Sequence, residues 1–269
     1  MALDAGKGAL PPERKRAYVR EMFSEIARHY DLLNNLLSFG LHRRWKRHAA
    51  RLARLVPGGR ALDVCCGTGD LAVLLHERIG AEGRAVGIDF AAPMVQIARQ
   101  RSGGRGRIWF VQGDAESLPL PDAAFDAVTV GFGVRNVARL DVALRELHRV
   151  LRPGGRAVIL EFSRPRNALF RALYDFYSYT AIPWVGRRLS HHPDAYLYLP
   201  TSIRHWPNQE AFARILAAVG FTHVRYENLL WGAVAVHVGE KGTVPGEVQE
   251  TKAHPENKTQ GRLADRGVP

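Results

Sequence analysis

Cysteine is scarce in this 269-residue chain, which holds two, Cys65 and Cys66, side by side. Neighbouring strand residues point to opposite faces, so the pair suits neither a structural disulfide nor a metal cage. A reducing, cytoplasmic setting is the expectation. Long apolar runs are also missing. Nothing approaches the about 18 apolar residues of a membrane span, and the opening MALDAGKGALPPERKR lacks the apolar stretch of a secretory signal. Acidic residues are short in one region above all. Residues 1–60 carry 13 Lys/Arg against 5 Asp/Glu, residues 61–239 carry 20 against 16, and residues 240–269 carry 5 against 5. Two-thirds of the net charge of +12 therefore precedes residue 61. Such a segment suits nucleic acid or an anionic membrane surface, and equally a solvated face. No aromatic–basic stripe or separate RNA-binding module accompanies it, so no nucleic-acid partner is expected.

What remains is a globular composition, 46% hydrophobic and 24% charged, long enough for one sizeable core. Residues 1–15 read as a loose arm and 16–58 as a helical layer. From ALDVCC onward, strand-like and helix-like segments alternate: RAVGIDF, RIWFVQGD, FDAVTVGFG and GRAVILEFS are strands, and DLAVLLHERIG, APMVQIARQRS and RLDVALRELHRVL are helices. Short apolar strands between helices imply a parallel sheet covered on both faces. Residues 164–207 interrupt the alternation with aromatics, prolines and arginines. A helix, NQEAFARILAAVGF, and two strands, THVRYENLL and AVAVHVGE, follow. Residues 242–269 are polar and read as a disordered tail.

The stretch ALDVCCGTGDL places a glycine turn directly after a buried strand. In an open α/β sheet, ligands bind at the carboxyl ends of the strands. Gly67 and Gly69 permit positive φ and remove Cβ atoms that would obstruct a ligand. Asp89 closes the second strand, 20 residues beyond Gly69, where a carboxylate can accept from two ribose hydroxyls. The turn also satisfies the dinucleotide fingerprint, so an NAD(P) oxidoreductase stays open on this evidence. Three features favour a different nucleoside ligand. Asp114 ends the third strand, placed to take a hydrogen bond from an adenine amino group, with Ala115 leaving the ring room. LRPGGRAVILEF sets a Pro-Gly-Gly turn before the fifth strand. The helix–strand–strand ending suits a seven-stranded sheet with an antiparallel last pair. Together these resemble the class I S-adenosyl-L-methionine-dependent methyltransferases.

The resemblance narrows with YDLLNNLLSFGLHRRWKR (30–47), DVCCGTGDL (63–71), FGVRNV (132–137) and RVLRPGGRAVILEFSRP (149–165), found in order. These match the quinone-biosynthesis C-methyltransferases, the UbiE/MenG family of demethylmenaquinone and 2-polyprenyl-benzoquinol methyltransferases, over about residues 18–241. DVCCGT looks more like the menaquinone enzymes. The resemblance implies a Rossmann-like seven-stranded sheet with an N-terminal helical lid, and S-adenosyl-L-methionine as donor. It further implies a prenylated quinol as acceptor and methylation of a ring carbon. The expected donor-binding residues are Gly67, Thr68, Gly69, Asp89, Asp114, Ala115 and Gly131, the last standing where family members often carry Ser. Other readings stay open: a methyltransferase for another lipid or small molecule, or a non-catalytic scaffold. Pairing of two copies is also open.

A ring carbon becomes nucleophilic when a quinol hydroxyl loses its proton, so a base and a positive group are needed near the acceptor. Arg135 is the expected stabiliser and Asn136 the group that orients a hydroxyl or water; Arg135 pairing with Glu161 is the competing structural role. Tyr30, Asp31, Asn34 and His42 are expected to face the substrate from the lid. His42 is a candidate base that also fits a plain helix-start hydrogen bond. Trp45 reads as packing, and Arg43, Arg44, Lys46 and Arg47 as a solvated face or an anchor on anionic headgroups. The 164–207 segment is the candidate wall for a prenyl tail, with Tyr196 and Tyr198 near the quinone head and Tyr174, Phe176 and Tyr177 equally suited to helix packing. His191 and His192 do not make a metal site.

Overall fold

The computed structural model describes residues 11–104, 106–176 and 193–243. Seven strands form one sheet in the order β3-β2-β1-β4-β5-β7-β6. They are β1 (Arg60–Val64), β2 (Arg84–Asp89), β3 (Ile108–Gln112), β4 (Phe125–Gly131), β5 (Leu151–Phe162), β6 (Phe221–Leu229) and β7 (Val234–Lys241). The first five run parallel, β7 is antiparallel to β5, and β6 is antiparallel to β7. This is the Rossmann-like sheet expected from the sequence. β1 pairs with β2 on one side and β4 on the other, so the chain reverses direction of travel across the sheet at β1. That is where a crevice opens above the strand ends.

Strand residues alternate between two cores. Ala61, Ala85, Val158 and Leu160 face the helices α3 (Leu41–Leu52), α4 (Asp70–Ile79) and α5 (Ala92–Ser102). Leu62, Ile88, Ala157 and Ile159 face α6 (Leu140–Val150) and α9 (Gln209–Val219). The period of two along each strand puts successive residues on opposite faces. Both faces being covered explains why the strands read as continuous apolar runs. At the β3 edge the pattern relaxes, and Trp109 and Val111 are exposed.

The N-terminal layer differs from expectation in its boundaries. Helix α1 (Pro12–Ile26) starts at a proline, whose fixed φ and missing N–H suit the first helical position. Residues 12–15, expected in the arm, are therefore folded; residues 1–10 lie outside the described set. The helical stretch RAYVREMFSEIARHYDLLNNLLS (16–38) is broken by a 3-10 turn at Ala27–His29 before α2 (Tyr30–Leu37). Gly40, at φ 74°, lets the chain turn into α3. Of the 164–207 segment, α7 (Ala168–Phe176) and α8 (Pro193–His205) are described. Tyr177, His191 and His192 lie outside the described residues, as do residues 244–269 of the expected tail.

Candidate active site

The end of β1 builds the first half of the site. Cys65, Gly67 and Gly69 all have positive φ, 55°, 54° and 88°, so the chain folds back sharply before α4. A Cβ on Gly69 would lie 2.8 Å from the Phe110 ring, so close packing as well as backbone shape demands glycine there. Asp89 at the end of β2 fastens the turn. Its Oδ2 accepts from the Gly67 N–H at 2.8 Å and its Oδ1 from the Ala91 N–H at 3.0 Å. Burial pushes the Asp89 carboxyl up, while those backbone donors pull it back. Each carboxylate oxygen retains a second lone pair for a ligand hydroxyl.

Asp89 borders a cleft together with Gly67, Asp114, Ala115, Gly131 and Asn136. At its far end Asp114 accepts the Glu116 N–H at 2.9 Å and pairs with Arg16 Nε at 3.1 Å. The cleft roof comes from α1 and α2. Arg16, Phe23 and Tyr30 line it, and Lys15 Nζ donates to the carbonyls of Arg135 and Val137 at 3.0 and 2.7 Å. Buried Glu116 holds the loop below by accepting from the N–H groups of Ala138 and Arg139 at 2.7 and 2.9 Å. At Gly131 a Cβ would come within 3.3 Å of Leu71, so a serine there needs that leucine to give slightly.

Thr68 and Asp31 bond to each other. Thr68 is buried and donates to Asp31 Oδ1 at 2.7 Å, while Asp31 Oδ2 meets Arg101 at 2.5 Å. Neither residue borders the cleft or the neighbouring cavity. They tie α2 to the glycine turn and to α5. Gly69 likewise shapes the turn without lining the cleft.

The second half is an apolar cavity of about 480 Å³ between the N-terminal helices, the FGVRN loop, α7 and α8. Phe23, Tyr30 and Phe132 border both spaces, so the two meet there. Arg135 sits at the junction, on a 3-10 turn after β4. Its Nη1 donates to Glu161 Oε1 at 2.7 Å and to the Phe132 carbonyl at 2.9 Å, and its Nε donates to Ser202 Oγ at 3.2 Å. The guanidinium lies 5.2 Å from the centre of the Phe162 ring. Pairing with Glu161, weighed as a competing role, is therefore present, yet Arg135 still lines the cavity. Its Nη2 makes no hydrogen bond among the described residues.

Tyr198 was named beside Tyr196, and Tyr198 is the one whose side chain is described. Its hydroxyl donates to Asn136 Oδ1 at 3.1 Å. Burial pushes its pKa up to about 12, against the opposing pull of Arg135, so it stays a phenol. Tyr198 and Ser202 lie four apart on α8, and so on one face that meets Arg135 and Asn136. Tyr196 lies on the same helix, and its side chain is outside the described residues. Asn34 and His42 line the cavity. Burial and the charge of Lys46 push His42 down to about 4, and its Nε2 bonds to Asn35 Oδ1 at 3.0 Å. The ring is therefore hydrogen-bonded and a weak proton acceptor. Lys46, expected on a solvated face, is buried and pairs with Asp70 at 3.0 Å. Trp45 packs against Phe132 and walls the cavity.

Sequence reasoning missed Lys15 and Arg16, Ser202, and the ring wall of Phe23 and Phe162. Phe162 closes the recognisable GRAVILEF strand, so its place at a strand end was a usable signal. The others depend on packing between distant segments.

Comparison with known proteins agrees with this geometry. The model of the ubiE/COQ5 methyltransferase family matches residues 12–241. A demethylmenaquinone methyltransferase of Thermus thermophilus is 50% identical, over 82% of this chain and 100% of that one. A ubiquinone/menaquinone biosynthesis C-methyltransferase of Xanthomonas oryzae is 45% identical, over 84% and 91%. A solved SAM-dependent methyltransferase of Thermotoga maritima shares the fold, with a TM-score of 0.59 and 20% identity over 83% of this chain and 99% of that one. A sheet of this order, a carboxylate-fastened turn opening on an apolar cavity and a family match across the described core lead to one conclusion: the chain belongs to the ubiE/COQ5 methyltransferase family and is an S-adenosylmethionine-dependent C-methyltransferase.

Proposed function

We propose that this enzyme methylates a ring carbon of a prenylated demethylmenaquinol, completing a menaquinone. The observation that carries the reading is the junction of the two spaces. A polar, carboxylate-edged cleft meets a 480 Å³ apolar cavity at Phe23, Tyr30 and Phe132, with a guanidinium beside the meeting point. The residues fit the donor: Asp89 is buried at the cleft with lone pairs to spare, and the glycine turn leaves room that Cβ atoms would fill. When bound, S-adenosylmethionine supplies a methyl group already made electrophilic by its sulfonium. The protein's work is on the acceptor. The cavity's aromatic walls take a flat ring and an isoprenoid chain and exclude water, and fixing the two reactants in line contributes roughly 7–11 kcal/mol at best. Arg135, whose Nη2 makes no hydrogen bond among the described residues, stabilises the phenolate-like oxygen. Asn136, held by Tyr198, orients a hydroxyl or water that takes the proton.

The higher identity and full coverage of the demethylmenaquinone enzyme support the naphthoquinol ring. A 2-polyprenyl-benzoquinol is the second reading, supported by relatives that carry both names. An acceptor of this kind resides in a bilayer, so the reading includes peripheral contact with an anionic membrane. The test is methyl transfer from S-adenosylmethionine to short-tailed demethylmenaquinol and to its benzoquinol counterpart, followed by mass spectrometry. Preferred conversion of the naphthoquinol supports the proposal. Turnover of the benzoquinol alone replaces it with the second reading, and turnover of neither removes both.

A further inference from the structure

Arg135 and Asn136 stand on a single 3-10 turn, Val134–Asn136, and the last carbonyls of any helical turn lack partners within it. This turn separates the two halves of the site. Asn136, Val137 and Ala138 border the cleft, and Arg135 lines the cavity. Two charged groups from elsewhere fasten it. Lys15 Nζ, from the first turn of α1, donates to the carbonyls of Arg135 and Val137 at 3.0 and 2.7 Å, one on each side of Asn136. Glu116 accepts from the next two N–H groups, those of Ala138 and Arg139, at 2.7 and 2.9 Å. The backbone from 135 to 139 is thus held through its carbonyls by a cation and through its amides by a carboxylate. Arg16, the residue after Lys15, bonds through Nη2 to Glu116 Oε2 at 2.7 Å, so the two clamps are joined. Tyr18 follows Lys15 by three and shares its side of α1. Its ring lies 5.7 Å from that of Tyr198, whose hydroxyl holds Asn136.

The arrangement is unfavourable for the lysine itself. Lys15 is half-buried. Burial and the like charge of Arg135 push its ammonium pKa down, while Glu116 pulls the other way. Two cations beside one turn repel each other, so a neutral side chain would serve plain packing better. What the ammonium adds is a strong donor to two carbonyls at once, at the end of a helical turn where a cation is favoured. Lys15 lines neither the cleft nor the cavity, so its effect on the reaction passes through the backbone it holds. That backbone sets where the Arg135 and Asn136 side chains start. Geometry there matters, since a misplacement of about 1 Å can cost about 10² in rate.

We infer that Lys15 is a positioning residue for methyl transfer: by capping the 134–136 turn it fixes Arg135 against the acceptor oxygen and Asn136 beside it, touching neither reactant. The inference rests on the role given to Arg135 above. The test uses the full chain, with short-tailed demethylmenaquinol as acceptor and S-adenosylhomocysteine as the calorimetric probe of the donor cleft. Lys15→Met keeps the apolar stem and removes the charge. It should lower kcat about 10- to 100-fold, with acceptor KM and S-adenosylhomocysteine affinity little changed. Lys15→Arg, whose fork offers donors to both carbonyls, should recover most of the turnover. K15M/R135A should be no slower than R135A, because residues that act through one another are not additive. Amide hydrogen exchange across residues 134–139 should quicken in K15M and not in K15R. Wild-type kcat in K15M, with R135A slow, overturns the inference and leaves the Arg135 reading standing. A further loss on adding K15M to R135A, or a K15R variant as slow as K15M at equal melting temperature, overturns it too. Wild-type turnover in R135A removes the Arg135 reading and this inference with it. The identity of the acceptor is read separately, from the wild type alone.

Discussion

The two halves of the site are made in different ways. The donor cleft is assembled at the ends of adjacent parallel strands, and its key contacts are backbone groups held by strand-end carboxylates: Gly67 and Ala91 on Asp89, Glu116 on Asp114. The acceptor cavity is assembled from segments outside the strand–helix alternation. Its polar end joins residues far apart in sequence: Arg135 to Glu161 and Ser202, and Tyr198 to Asn136. A cleft of the first kind is stiff because the sheet holds it. A cavity of the second kind depends on how the added helices sit, so acceptor preference can change while donor binding stays fixed.

The hardest test of that division is Arg135. Arg135→Ala should lower turnover by about 10²- to 10³-fold, the range seen when a preorganised donor to a developing oxyanion is removed, with donor affinity by calorimetry little changed. The same variant strands buried Glu161, which costs about 3–5 kcal/mol and should show as a lower melting temperature. R135A/E161Q should recover the stability and not the turnover. Recovery of both would reduce Arg135 to a structural ion pair. Next in size, Asp89→Ala should weaken donor binding about 10- to 100-fold, because it removes the acceptor of the Gly67 and Ala91 N–H groups along with the ribose contact. Apparent acceptor KM at saturating donor should stay within a small factor. A large shift would show that the two halves are coupled after all.

A smaller effect is expected of Tyr198→Phe. Losing one hydrogen bond of 3.1 Å to Asn136 should lower kcat about five- to tenfold and leave donor affinity alone. The smallest concerns His42. Its folded-state pKa, pushed down to about 4 by burial and Lys46, lies below the usual value near 6.5. Between these values the unfolded chain binds the proton and the folded one does not, so stability falls as pH drops from about 6.5 towards 4. Relative to His42→Gln, the wild type should lose up to about 3 kcal/mol across that window, read by denaturant melts at matched pH. Above pH 7 the two should run parallel, and the wild-type rate profile should show no limb belonging to this ring. A kinetic limb near 6.5 that vanishes in His42→Gln would restore the histidine as the base.

The strand–helix alternation was readable because each strand is a short apolar run and each turn carries its glycine or acid. Asp89, Asp114, Ala115 and Gly131 are legible as residues at or just past strand ends, and all four border the cleft. A motif position does not say which way a side chain points: Thr68 and Asp31 bond to each other. Lys46 was misplaced because a charged run on a helix looks uniformly exposed until the helix is docked, and one side of α3 lies on α4. His42 was readable as a cavity residue, but its protonation state follows from burial beside that same lysine.

By itself, the sequence determined the sheet, the glycine turn with its strand-end carboxylates, and the presence of an N-terminal helical layer, because these arise from local periodicity, backbone permissiveness and short-range spacing. Only the tertiary structure decided which side of each lid helix is wet, that Arg135 is shared between Glu161 and the cavity, and that the tyrosine reaching Asn136 is Tyr198. Those outcomes depend on burial and on contacts between segments up to more than a hundred residues apart, where desolvation and packing, not local pattern, set the direction of each side chain and its charge.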